Sequence, residues 1–145
     1  MAAPELATYK AFFRQAAFLT DLGVELESVA EGSCTTVLTI APRHLQHSGQ
    51  VHAGVLATMA DHTAGAAAQT LAADGTFVVT AEMKLSLLRP AQGERLVCRG
   101  RVLKPGKAIS FVESEVFCIA GGKESLVAKV SATMSVVNIS SVVRP

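Results

Sequence analysis

Residues 46–73 read QHSGQVHAGVLATMADHTAGAAAQTLAA, a polar turn followed by an almost entirely apolar segment. Asp61 lies in the middle of that segment, and no other carboxylate occurs between Glu31 and Asp74. Removing an ionised acid from water is costly unless a partner compensates it. Asp61 is therefore either a structural residue, satisfied by a hydroxyl such as that of Thr58 or by an arginine, or a residue kept for chemistry. The second interpretation is favoured.

The segment 53–73 is long enough, at about 1.5 Å per helical residue, to raise the question of a membrane span. Its apolar character comes mostly from Ala and Gly, and it also contains Asp61, His62 and Gln69. We therefore predict a central helix that is buried in protein and not in a membrane.

The composition suits one small domain with one core, and we predict a single domain over residues 1–145. Half of the residues are hydrophobic and only 17% are charged, which indicates surface reserved for contacts between subunits. The formal net charge of +1 favours neither nucleic acid nor an anionic membrane as a partner.

Three cysteines, Cys34, Cys98 and Cys118, have neither metal-type nor disulfide-type spacing. We expect free, buried thiols in a reducing compartment. The first residues do not have the pattern of a signal peptide, so the expected location is the cytoplasm.

Elsewhere the hydrophobic pattern predicts one N-terminal helix within residues 1–22, strands at 24–29 and 34–40, and four further strands after the long helix. In the strand at 77–87, alternation predicts a buried face and a polar face, the latter containing Thr80. The later strands span 96–103, 107–120 and 126–136, and residues 138–145 are expected to form a tail. Short late connections predict antiparallel neighbours. The fold class is α+β, with the sheet wrapped around the long helix.

The loop before the long helix is a candidate binding element, because free backbone N–H groups and the positive end of the helix dipole are found at a helix start. Such a site can hold an anion or a developing oxyanion. Gly49 and Gly54 permit close backbone approach, and Gln46 or His52 can add a side-chain donor. The alternative, that the glycines only form the turn and help the helix pack, has equal weight.

Asp61 follows Gly54 by seven residues, so it shares a helix face with the loop but lies about 10 Å further along the axis. One chain's Asp61 and its own N-terminal amides should therefore not meet at one reacting centre, whereas a second subunit could supply the missing half. Asp61 would act as a general base on water. His62 points about 100° away from Asp61 and is interpreted as facing an interface. No His, Cys or Asp set has a metal-ligand pattern.

Over nearly its whole length, the chain resembles the PaaI-type branch of the hotdog-fold acyl-CoA thioesterases. The resemblance rests on Gly49-x-x-His52-Ala53-Gly54, on Ala60-Asp61, on Glu82-Met83 and on Leu88-Arg89-Pro90-Ala91. It implies a sheet wrapped around the long helix, an acyl-CoA substrate, no cofactor apart from the coenzyme A of the substrate, and a homodimer at minimum, with a homotetramer expected.

The resemblance also implies roles for individual residues. Asp61 would be base or nucleophile and the Ala53 N–H the oxyanion donor, with His52 orienting a site shared between two subunits. Thr80 falls where relatives have a water-positioning hydroxyl, although the alternation places it on the polar face. Two departures are that Ala53-Gly54 replaces Gly-Gly and that Gln46 replaces Asn; both retain a donor.

The turn Lys104-Pro105-Gly106-Lys107 is on its own best explained as a solvated hairpin turn. The resemblance instead implies that it borders the coenzyme A channel, where Arg89 could join it as a phosphate partner. Two other functions stay open: a non-catalytic acyl-CoA-binding module, and a hydratase or dehydratase. The second is disfavoured because Asp61 and His62 point to different helix faces.

Overall fold

The computed structural model describes residues 5–142. The elements in chain order are helices α1 (Leu6–Phe13) and α2 (Ala17–Leu22), strands β1 (Glu25–Ala30) and β2 (Ser33–Thr39), helix α3 (Ala53–Gln69), strands β3 (Thr76–Leu87), β4 (Arg95–Lys104), β5 (Ile109–Ala120) and β6 (Lys123–Asn138), and a short helix α4 (Ile139–Val142). One turn of 3-10 helix, Pro42–His44, precedes α3.

The six strands form one antiparallel sheet in the order β1-β2-β4-β5-β6-β3. Helix α3 packs across this sheet and contacts β2, β3, β4, β5 and β6. Helix and sheet pack closely because Gly100 of β4 has no side chain: a Cβ added there would lie 2.8 Å from the Thr63 carbonyl oxygen of α3. The predicted α+β architecture, a sheet around one central helix, is confirmed.

The expectation that all late strands pair with their sequence neighbours is wrong for β3 and β4. Strand β3 pairs with β6 at the sheet edge, whereas β4 lies between β2 and β5. Residues 88–94 cross the end of the sheet to make this connection: Leu88 N–H donates to Val127 of β6, and Glu94 N–H donates to Ile119 of β5. These hydrogen bonds hold the crossing segment against two neighbouring strands, so Arg89 lies at one end of the sheet.

The N-terminal helix predicted within residues 1–22 is two helices, broken at residues 14–16. Phe13 and Leu19 are the buried residues of α1 and α2. On one straight helix these side chains would point about 120° apart, so the break lets both face the core. The predicted tail is also wrong in part, because β6 reaches Asn138 and α4 follows; residues 1–4 and 143–145 lie outside the described residues.

Strand β3 does not follow the predicted alternation. The register with β6 shifts between Thr80 and Glu82, which leaves Ala81 as a bulge. Before the bulge, Val78 is the buried residue, and Thr80 faces α3; after it, Leu85 packs against the core. Because a one-residue insertion reverses which side chains face inward, the assignment of Thr80 to a polar outer face is wrong.

Helix α3 ends at Gln69, four residues before the predicted end. The Thr70 hydroxyl donates to the Ala67 carbonyl and accepts from the Gly32 N–H, so the chain leaves the helix at that point. Among residues 5–142, no helix has the length and apolarity that crossing a membrane requires.

Candidate active site

The loop before α3 is held by a buried histidine. Nδ1 of His44 accepts from the Ala41 N–H at 2.9 Å, so Nε2 carries the proton and donates to the Leu22 carbonyl at 2.6 Å. His44 is only 1% exposed, and its carbonyl accepts from the His52 N–H. This role of His44 is not predictable from the sequence, because a structural histidine in a loop has no characteristic spacing.

His52 caps helix α3. It has extended backbone angles, φ −62° and ψ 138°, and its Nδ1 accepts from the Gly54 N–H at 2.8 Å. A Cβ on Gly54 would lie 3.0 Å from that nitrogen, so glycine allows the imidazole to fold over the helix end. The Gly54 N–H is therefore occupied, whereas the Ala53 N–H makes no hydrogen bond among the described residues. Of these two amides, Ala53 supplies the donor that a ligand can use.

A cavity of about 550 Å³ opens at this end of α3. Its lining brings together four predicted residues, Gln46, His52, Ala53 and Arg89. The amide of Gln46 is oriented by Ser48: its Oε1 accepts from the Ser48 N–H at 2.7 Å and its Nε2 donates to the Ser48 hydroxyl at 2.5 Å. One amide hydrogen of Gln46 remains for another acceptor. We call this the loop cavity.

Asp61 lies in a different cavity. Thr80 Oγ1 donates to Asp61 Oδ1 at 2.7 Å, while the Thr58 hydroxyl donates to the Gly54 carbonyl instead. No arginine among residues 5–142 forms a salt bridge with Asp61. Among the described residues, one hydroxyl therefore holds the Asp61 carboxylate, and it comes from Thr80 and not from Thr58 or an arginine.

The cavity at Asp61 has a volume of about 270 Å³ and is mostly apolar. Its walls come from α1, α3 and the first half of β3, from Leu26 of β1 and from Met134 of β6. His62 also lines it, so the expectation that His62 points away from Asp61 toward an interface is wrong. Its ring packs edge-on against Phe13 of the same chain, with ring centroids 4.6 Å apart. Burial lowers the pKa of His62, and the neighbouring Asp61 carboxylate partly opposes this shift. We call this the Asp61 cavity.

The two cavities lie at different places along α3, as the sequence predicted. Asp61 follows Ala53 by eight residues, which is about 12 Å along the helix axis. The structure therefore brings Gln46, His52, Ala53 and Arg89 together and, separately, Asp61 with Thr80. Within one chain the two sets do not converge.

The Lys104–Lys107 turn lies at the opposite end of the sheet from Arg89. Ala108, next to the turn, accepts from the Val136 N–H, whereas Arg89 Nη1 donates to the Leu126 carbonyl. These two points on β6 are about 30 Å apart, at roughly 3.3 Å per residue. One chain cannot bring Arg89 and this turn to the same phosphate group. Gly106 is needed for the turn itself, because an added Cβ would lie 2.1 Å from the Ile109 carbonyl oxygen.

A profile of the Thioesterase superfamily matches residues 48–125, a stretch that begins in the loop before α3 and ends in β6. That is more than half of the chain. The chain belongs to the thioesterase superfamily.

Sequence and structure comparisons agree with this assignment. Human acyl-coenzyme A thioesterase 13 is 29% identical over 101 residues, covering 69% of this chain and 71% of the human protein. A thioesterase family protein from Silicibacter pomeroyi superposes with a TM-score of 0.87 at 27% identity, over 90% of this chain and 96% of that one. The PaaI protein of the E. coli phenylacetic acid degradation operon has a TM-score of 0.77 at 20% identity, over 90% and 95% of the chains, a likeness of fold. The predicted PaaI-like hotdog fold and thioester hydrolase activity are confirmed.

In this thioesterase the cysteines do not supply a nucleophile. Cys34, Cys98 and Cys118 are free and buried, as predicted. Burial raises the pKa of the Cys34 and Cys98 thiols to about 12, so neither is a thiolate near neutral pH. Within residues 5–142, no group of three His, Cys, Asp or Glu side chains is placed to hold a metal ion.

The aromatic residues of α1 were missed as site residues. Tyr9, Phe12 and Phe13 all line the Asp61 cavity, although the hydrophobic pattern predicted only a helix there. Helical spacing shows that such residues share a face, but it does not show which cavity that face will cover.

Proposed function

We propose that this thioesterase hydrolyses acyl-CoA thioesters to a free acid and coenzyme A, at sites each built from two copies of the chain. The observation that carries the proposal is the separation of the Ala53 N–H from the Asp61 carboxylate. Each group has the chemistry for one part of thioester hydrolysis, an oxyanion donor and a base or nucleophile, yet they lie in different cavities of one chain. The acyl-CoA substrate is proposed by analogy with the human relative named above.

Strand β3 offers the surface for the second copy. It is one of the two edge strands of the sheet, with β1 at the other edge, and its outer edge pairs with no other strand among the described residues. Residues 80–84 are all exposed. Such an edge favours pairing with an identical edge around a twofold axis, which makes the two strands antiparallel.

Charges on β3 select a register for this pairing. If Met83 lies at the twofold axis, Glu82 of one copy faces Lys84 of the partner subunit twice in the dimer. The same register places residues 86–89 of one copy against residues 77–80 of the other. The loop cavity of one subunit then lies beside the Asp61 cavity of its partner.

Two substitutions test that register. Reversing one charge, with Glu82→Lys or Lys84→Glu, sets like charges opposite each other at two places, and we expect the dimer dissociation constant to rise at least about tenfold. The double exchange restores both pairs and should restore the affinity. Equal dimer affinity for all four proteins in sedimentation equilibrium would argue against this register.

In the proposed mechanism the thioester carbonyl accepts the Ala53 N–H of one subunit, helped by the remaining amide hydrogen of Gln46. Asp61 of the other subunit either takes a proton from the attacking water, or attacks the carbonyl carbon itself to form a mixed anhydride that water then hydrolyses. In both cases the bond to sulfur breaks, and coenzyme A leaves as the thiolate, which takes up the proton. Thr80 fixes the Asp61 carboxylate through Oδ1, so the other oxygen is left to react. His52 keeps its place at the helix end through the Gly54 N–H.

The same arrangement accounts for the two cationic elements. The Lys104–Lys107 turn lies in the half of its subunit that contains Thr80, because Lys104 is joined to Glu82 through successive strand pairs on β5 and β6. Arg89 would come from the other subunit. We propose that Lys104, Gly106 and Lys107 with the partner subunit's Arg89 bind the phosphate groups of coenzyme A.

The activity is tested by release of free thiol from a panel of acyl-CoAs. We expect turnover by the wild type, and a loss of at least about a hundredfold in kcat for Asp61→Asn, in line with removal of an essential acid or base. Asp74→Asn is a matched control, since Asp74 is an exposed acid just beyond α3. Binding of acyl-CoA without turnover would overturn the enzymatic proposal, and full activity of Asp61→Asn would overturn the role of Asp61.

The sharing of sites is tested by mixing. Asp61→Asn and Ala53→Pro, which lacks the N–H donor, should each be inactive alone. Random pairing in a twofold dimer leaves about a quarter of the sites free of both lesions, so co-expression should recover about a quarter of the wild-type activity. No recovery in demonstrably mixed dimers would show that both groups act within one chain.

A further inference from the structure

A second apolar cavity lies directly behind the Asp61 cavity. It has a volume of about 240 Å³ and is lined by residues of α1 and β3, by Gln69 of α3 and by Ile139 of α4. Four residues, Tyr9, Phe12, Gln69 and Phe77, line both cavities. These four form the wall between them, and we call them the partition.

The two phenylalanines close the partition by direct contact. Phe12 and Phe77 meet edge to face, with ring centroids 6.0 Å apart and planes inclined by 69°. This is the preferred geometry for an aromatic pair. Gln69 is held rigidly, because its Oε1 accepts from the Val78 N–H and its Nε2 donates to the Thr76 carbonyl. Phe12 is the replaceable part, since it is 48% exposed on a short surface helix.

We propose that the Phe12–Phe77 contact sets the upper size limit of the acyl group, an inference that rests on the acyl-CoA thioesterase function proposed above. With the thioester carbon at Asp61, the acyl chain extends through the apolar cavity toward the partition. A dry cavity of roughly 150 Å³ holds benzene, so the Asp61 cavity of about 270 Å³ holds roughly ten heavy atoms. An octanoyl group fits this space, and a palmitoyl group does not.

Removing the Phe12 ring would join the two cavities and nearly double the available volume. Because each additional buried methylene strengthens binding severalfold, palmitoyl-CoA should gain far more than octanoyl-CoA. The partition therefore acts on the ratio of kcat/KM for long and short acyl groups, and not on the chemistry at Asp61.

The test compares kcat/KM for octanoyl-CoA and palmitoyl-CoA in the wild type, Phe12→Ala and Phe12→Trp. We expect the wild type and Phe12→Trp to favour octanoyl-CoA by about tenfold or more, and Phe12→Ala to raise palmitoyl-CoA hydrolysis by about tenfold while changing octanoyl-CoA little. Phe18→Ala is the control: Phe18 is exposed on α2, lines neither cavity, and should leave the ratio unchanged.

The proposal is overturned if the wild type accepts palmitoyl-CoA as well as octanoyl-CoA, or if folded Phe12→Ala keeps the wild-type ratio. Equilibrium binding of the same two ligands to an Asp61→Asn background provides a second measurement that does not need turnover. If the wild type hydrolyses no acyl-CoA, the proposed function fails. The role of the partition is then judged from binding alone: it is rejected if Phe12→Ala leaves the ratio of the octanoyl-CoA and palmitoyl-CoA binding constants unchanged.

Discussion

The Ala53 N–H can be deleted without disturbing the helix that presents it. Ala53 is the first residue of α3, a position at which proline is favoured because its missing N–H would have no partner within the helix. The preceding residue, His52, has φ −62° and ψ 138°, angles that a residue before proline readily adopts. Ala53→Pro should therefore leave the free energy of unfolding unchanged or raise it by about 0.4–1 kcal/mol.

The expected effect on catalysis is large. Loss of one oxyanion donor costs about 10²–10³ in kcat, equivalent to about 2.7–4 kcal/mol. Because the Gly54 N–H is already bound by His52, that neighbouring amide cannot replace the lost donor. We expect kcat to fall by at least about a hundredfold with a much smaller change in KM, measured as thiol release under saturating acyl-CoA.

Two controls separate the N–H from the side chain at the same position. Ala53→Gly keeps the donor and removes the methyl group, and should retain the activity. Ala53→Val keeps the donor and adds bulk comparable to the proline ring, so it measures any steric obstruction. If Ala53→Pro is folded and dimeric and retains more than about a tenth of the wild-type kcat, the oxyanion role of Ala53 is refuted.

Three further predictions follow from individual contacts. Thr80→Val removes the hydroxyl that holds Asp61 and should lower kcat by about tenfold or more, whereas Thr80→Ser should retain activity in the same assay. Because folding lowers the pKa of His62, the unfolded chain takes up the imidazole proton before the folded chain does as the pH falls below about 6.5. The free energy of unfolding should therefore decline below that pH, and His62→Gln should flatten the decline in denaturant titrations. Gly106→Ala brings a methyl group against the Ile109 carbonyl and should reduce the free energy of unfolding by about 1–3 kcal/mol, whereas Gly121→Ala, at an open hairpin position, should be limited to the smaller cost of its positive φ.

The main elements were predictable because their signals are local. The long apolar run, the polar glycine-bearing loop before it, and the period-two pattern of the later strands each report on adjacent residues. The sequence also placed Asp61 and Ala53 correctly on one helix, since their separation depends only on helical rise. That distance alone is enough to predict two half-sites.

The position of Thr80 was not predictable from periodicity. A bulge at Ala81 reverses the inward face of β3 in mid-strand, and nothing in the alternating sequence marks it. The edge position of β3 was missed for a related reason: the connection 88–94 is short enough for a hairpin, but its hydrogen bonds run to β6 and β5 instead. Both errors concern long-range pairing, which local pattern does not determine.

The bulge at Ala81 and the edge position of β3 together explain why the surface of a single chain is so apolar near the site. Because β3 lies at the edge, Met83, Leu87 and Leu88 are exposed there, at 41%, 54% and 48% of their surface. Because the bulge turns Thr80 toward α3, Asp61 is held close to that same edge and is only half-buried. A second copy paired along β3 would cover the exposed apolar side chains and complete the enclosure of Asp61 in one step. Formation of the dimer and assembly of the active site would then be the same event, so dilution below the dimer dissociation constant should abolish activity in parallel with dissociation.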